Sequence, residues 1–69
     1  MMNVFETMQR ANDAALAWRL SEALELMADA DRMIDAMEPE SEERQDAEEL
    51  FDSVVQVISD LTANKGDKK

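Results

Sequence analysis

The apolar residues in the middle of the chain recur in alternating steps of four and three, and this spacing constrains the fold more than any other feature. It is the spacing of a seam along which one helix packs lengthwise against another. The residues of this first seam are Leu16, Leu20, Ala23, Met27, Ala30, Ile34 and Met37. The remainder of the chain must therefore supply a second apolar helix face to cover the seam.

A second seam with the same spacing lies towards the end of the chain. Its residues are Ala47, Phe51, Val54, Ile58 and Leu61, with Leu50 and Val57 widening the apolar stripe. Acidic and amide side chains occupy the other side of this segment, so the pattern is that of an amphipathic helix. We expect this second helix to run from about residue 42 to about residue 63.

Local signals place the helix ends. Asn3 and Glu6 have the spacing of a capping box, and no Gly or Pro interrupts the chain between them and Met37. Pro39 cannot continue a helix, and Ser41 can cap the next one. The sequence therefore predicts a helix over about 4–37, a turn at 38–41 and a loose tail at 63–69.

The start of the first helix presents a different apolar face. At about 100° per residue, Val4, Met8 and Trp18 cluster about 100° away from the first seam. Either the long helix has two interfaces, one in each half, or it breaks near Asn12–Asp13 into a short and a long helix. The continuous helix is the interpretation adopted here.

A chain of 69 residues forms a single domain, here predicted to be all-α and built as a two-helix antiparallel hairpin. Two helices leave apolar surface uncovered, so we expect a homodimer that forms a four-helix bundle. The second helix is too short to cover residues 4–15, which should project beyond it. The predicted dimer interface comprises Val4, Phe5, Met8, Trp18, Leu20, Met27, Ile34, Phe51, Val54, Ile58 and Leu61.

The net charge of −10 limits the possible partners. Direct contact with nucleic acid needs clustered Lys and Arg, and anionic membranes attract the same residues, so both are excluded as partners. The charge is concentrated in residues 22–52, which contain thirteen acidic residues against Arg32 and Arg44. The sequence contains neither a signal peptide nor an apolar stretch long enough to span a membrane, which predicts a cytoplasmic protein.

The residue types needed for most catalysis are missing. The chain has no His, Cys or Tyr, and its serines have no candidate base other than carboxylates and the terminal lysines. Acidic pairs are abundant but lie on polar helix faces, whereas paired acid catalysts need buried environments that separate their pKa values. We therefore expect no enzyme activity, metal site, cofactor or small-molecule substrate.

The acidic region is the one feature of the sequence that suggests a function. It is either a solvated face or a surface that recognises a basic partner protein. The candidate binding residues on the second helix are Glu42, Glu43, Asp46, Glu49 and Asp52. The expected function is a regulatory protein-interaction module, with two alternatives. One is a nucleic-acid mimic that blocks a DNA- or RNA-binding protein, and the other is a structural assembly subunit that uses its N-terminal end.

Overall fold

A computed structural model describes the backbone of residues 2–66 and the side chains of residues 2–63, and this part of the chain is all-helical. Helix α1 spans Val4–Leu16, α2 spans Leu20–Asp35 and α3 spans Glu42–Gly66. Among these described residues, no helix combines the length and the apolar character needed to cross a membrane. The all-α prediction is confirmed. Helix α3 runs past the predicted end at residue 63, and residues 67–69 of the predicted tail lie outside the described residues.

The predicted continuous helix over residues 4–37 is wrong, because α1 ends at Leu16 and α2 begins only at Leu20. The turn between them has Trp18 in the left-handed region, with φ of 65°. The Trp18 amide donates to the Ala15 carbonyl at 2.9 Å, and the Arg19 amide donates to the Ala14 carbonyl at 2.8 Å. These two bonds form a Schellman motif, which normally has Gly where this chain has Trp. The alternative break near Asn12–Asp13 was placed too early.

The break allows α1 to fold back onto α2, so that the two rotated apolar faces meet. The contact is lined by small side chains that let the backbones approach closely. The alanines with no more than 1% of their surface exposed on these two helices are Ala11, Ala14, Ala15, Ala23 and Ala30. At the far end of the pair, the buried Thr7 hydroxyl lies 3.9 Å from the Met33 sulfur and also donates to the Asn3 carbonyl.

Helix α3 covers the α1–α2 pair and completes a three-helix core. Its Ala47, Val54 and Ile58 are buried in the same cluster as Val4 and Met8. Val4 and Met8 were expected to project uncovered, and this is wrong because α1 returns over α2 instead of extending away from it. The two-helix hairpin is therefore replaced by three helices that bury one another's apolar faces.

Two predicted caps are present. The Glu6 amide donates to Asn3 Oδ1 at 2.8 Å, and the Asn3 amide donates to Glu6 Oε1 at 3.3 Å, which completes the capping box. The Arg44 amide donates to Ser41 Oγ at 3.1 Å at the start of α3. These bonds satisfy amides that a helix cannot satisfy within its own first turn.

Replacing Trp18 with Gly should give a more stable protein than replacing it with Ala. A left-handed backbone costs a residue with a Cβ atom roughly 1–2 kcal/mol, and Gly has no Cβ atom. We expect Trp18→Gly to raise the free energy of unfolding in urea by about 1 kcal/mol relative to Trp18→Ala, which keeps the Cβ atom. Equal stability of the two variants would show that the left-handed turn is not strained.

Candidate protein-binding surface

The five candidate binding residues, called the acidic face below, are all exposed on α3. At about 100° per residue, Glu42, Asp46 and Glu49 fall within about 60° of one another, away from the buried Ala47 and Val54. Glu43 lies nearer the buried stripe, and Asp52 lies on the other flank. The acidic face consists of Glu42, Glu43, Asp46, Glu49 and Asp52. Its carboxylates are therefore presented to solvent by the helix that closes the core.

The arginines do not offset this charge, because most of them are already paired with acids of the same chain. Residues 2–63 contain sixteen acidic residues and four arginines. Arg19 lies 3.6 Å from Glu22, and Arg32 pairs with Asp29. Arg44 pairs with acids on both α2 and α3. The surface therefore keeps a large surplus of negative charge around α2 and α3.

A groove of about 250 Å³ lies between the end of α2 and the start of α3. We call it the α2–α3 groove. Its lining residues are Asp31, Ile34, Asp35, Arg44, Glu48, Phe51 and Asp52. Four carboxylates thus surround a single guanidinium, over a floor that is partly apolar. Asp52 belongs both to this groove and to the acidic face, so the two surfaces are continuous.

Arg44 holds the groove in shape. Its Nη1 donates to the Met37 carbonyl at 3.0 Å, its Nε donates to Glu48 Oε2 at 3.0 Å, and its Nη2 lies 4.0 Å from Asp35 Oδ1. A cation at this position suits the negative end of α2, since helix carbonyls there lack helical partners. Sequence analysis missed this role, although the Arg44–Glu48 spacing was visible as a helical ion pair.

Two of the exposed apolar residues extend the groove beyond its acidic end. About 57% of Leu24 and 41% of Val55 are exposed. By helical rotation, Leu24 lies on the same flank of α2 as Asp31 and Asp35, and Val55 lies on the flank of α3 that carries Arg44. Since α3 returns antiparallel to α2, these apolar side chains continue the two flanks of the groove towards the start of α2.

The residues of the predicted dimer interface fall into three groups. Those buried within their own chain are Val4, Met8, Met27, Ile34, Val54 and Ile58. Those half-buried and packed against that core are Phe5, Leu20, Phe51 and Leu61. Trp18 is the member that is exposed, at the turn between α1 and α2, beside the exposed Leu16. Apart from Leu16, both apolar seams thus pack inside one chain, and the apolar surface at this turn faces solvent.

The arrangement defines an acidic three-helix bundle with a charged groove. Residues 2–66 bring together no group of three or more His, Cys, Asp or Glu side chains that could hold a metal ion. Comparison with models of known protein families, with curated proteins and with solved structures finds no match. The surfaces of the chain itself are therefore the basis for assigning a function.

Proposed function

We propose that this protein is a non-catalytic interaction module that binds a basic surface of a partner protein through its acidic face. The observation that carries the proposal is that all five carboxylates are exposed on α3, with Glu42, Asp46 and Glu49 close together on one side of it. Most arginines of the described chain are paired with its own acids, so little positive charge screens this surface. Such a surface attracts a basic partner over a distance and speeds its association.

The uneven distribution of charge supports recognition over simple solvation. Thirteen acidic residues within residues 22–52 repel one another, and this repulsion costs stability. The same net charge spread over the whole chain would give similar solubility with less repulsion. The concentration of acids on α2 and α3 therefore favours a binding role.

Charge reversal on the acidic face tests the proposal. The triple variant Glu42→Lys, Asp46→Lys and Glu49→Lys should keep its helical circular dichroism, because all three side chains are exposed. Used as bait in lysate of the source organism at low salt, it should lose the basic partner that the parent protein retains. With the purified partner, the association rate should fall by at least about tenfold at low ionic strength.

The matched control reverses three exposed acids elsewhere, Asp13→Lys, Glu25→Lys and Asp60→Lys, so the net charge changes equally. This control should retain the partner at low salt. In high salt, both the parent and the control should release it. Retention of the same proteins by the reversed acidic face would show that this face is only solvated.

A narrower form of the proposal is a nucleic-acid mimic. Carboxylates held on a rigid helix can occupy a phosphate-binding surface of a DNA- or RNA-binding protein. Duplex DNA or RNA should then compete with this protein for the captured partner. If the captured partner binds nucleic acid and this protein at the same time, the mimic is excluded and the general interaction module stays as the proposal.

We also propose a homodimer, but through a different interface from the one predicted from the sequence. The rest of both apolar seams packs inside each chain, so a second copy would contact the exposed Leu16 and Trp18. These residues lie in the first 21 residues, whose charges balance, so two copies can meet there with little repulsion. Light scattering at micromolar concentration should give about twice 7.8 kDa for the parent and about 7.8 kDa for Trp18→Ser. A monomeric parent would exclude the dimer, and the structural assembly alternative with it.

A further inference from the structure

The α2–α3 groove combines an acidic end with an apolar end. We infer that it docks a cationic amphipathic helix of the basic partner, with apolar residues towards the start of α2 and Lys or Arg towards its end. This inference rests on the proposed function, because it names the chemistry of the partner and the place where it is held. The helix flanks that line the groove continue to the start of α2, and the sixteen residues of α2 span roughly 24 Å, so a helix of similar length fits.

The acidic end has capacity for cations beyond Arg44. The ion pairs of Arg44 use Asp35 and Glu48, and its remaining contact is with the Met37 carbonyl. Asp31 and Asp52 line the same groove on opposite helices and are both exposed. A Lys or Arg entering between the helices can therefore pair with carboxylates on both sides, while its apolar stem lies over Phe51.

The apolar end supplies surface that is buried when a helix docks. Leu24 and Val55 are exposed on the flanks of α2 and α3 that continue from the groove, and the half-buried Leu20 lies one turn before Leu24. Removing such side chains from water favours binding in proportion to the apolar area covered. A row of apolar residues on one face of an amphipathic helix matches this surface in the helix-in-groove mode.

The charge of the groove selects the occupant. A second copy of this chain carries a net charge of −10, and its own apolar seams are buried in its core, so it is repelled by the four groove carboxylates. A cationic helix supplies the missing positive charge together with an apolar face. The groove thus favours a cationic segment of another protein.

The two surfaces then have separate kinetic roles. The acidic face attracts the partner and raises the association rate. The groove makes close contacts on both flanks, so it controls the dissociation rate. Neutralising equal numbers of charges on the two surfaces should therefore slow association to a similar extent, whereas only the change in the groove should speed dissociation.

The test uses two labelled peptides of fifteen residues. The first is helical, with Leu on one face of its first half and Lys along its second half, and the second has Gln in place of every Leu. Association and dissociation rates are measured by stopped-flow fluorescence polarisation at low salt. The groove variant is Asp31→Asn with Asp52→Asn, and the matched control is Asp46→Asn with Glu49→Gln, both at exposed positions.

For the Leu-containing peptide, the groove variant should dissociate about tenfold faster than the parent, and the control less than about threefold faster. A further variant, Leu24→Gln with Val55→Gln, should weaken binding of this peptide about tenfold and leave binding of the Gln peptide unchanged. Helical circular dichroism of each variant shows that the fold is intact.

Two results overturn the inference in distinguishable ways. If both acidic variants speed dissociation equally and the Gln substitutions have no effect, the groove is not the docking site and the acidic-face proposal stands. If the parent binds neither peptide at low salt, both proposals fail.

Discussion

Replacing Met8 with Ala should lower the free energy of unfolding by about 2–5 kcal/mol, the range for large-to-small truncations in a packed core. Met8 is completely buried, in the cluster that joins α1 to α2 and α3. Chemical denaturation followed by circular dichroism measures the change. The effect is large because the surrounding helices cannot collapse fully into the space that the side chain leaves.

Leu24→Ala is the matched control for this prediction. It also truncates a long apolar side chain on a helix, but more than half of Leu24 is exposed. The control should therefore change stability by less than about 0.5 kcal/mol, as surface substitutions do. A negligible cost at Met8 would mean that α1 does not pack in the core and that the projecting N-terminal segment of the hairpin interpretation is correct.

Replacing Ala30 with Leu should destabilise the protein by about 1–3 kcal/mol through overpacking. Ala30 is fully buried on α2, in the core shared with the alanines of α1, where the small side chains permit close approach of the helices. Three added carbon atoms force the helices apart or push neighbouring side chains out of their preferred rotamers. The midpoint of urea denaturation should fall accordingly.

The control for overpacking is Ala28→Leu, two residues earlier on the same helix at an exposed position. Leu and Ala are both good helix formers, so this change should leave stability within about 0.5 kcal/mol of the parent. Equal destabilisation at both positions would contradict the close packing of α2 at Ala30.

Local signals in the sequence were sufficient for the helix ends that have caps. The Asn3–Glu6 box and the Ser41 cap depend on side chains reaching backbone amides three residues away, so spacing alone predicts them. The acidic face was predictable for a similar reason. The 3.6-residue period places Asp46 and Glu49 away from the apolar seam of α3, whichever helices that seam packs against.

The sequence by itself therefore determined the helical class, the apolar stripes, two caps and the location of the charge. The tertiary structure alone decided where the first helix breaks and which stripes meet. No Gly or Pro marks the break, and Trp18 adopts an unfavourable left-handed backbone there. That local cost is offset by burying Met8 and the alanines of α1 and α2, contacts between residues far apart in the sequence. The spacing of residues along the chain cannot predict whether such a turn forms. The packing that offsets the cost of the turn exists only once all three helices are assembled.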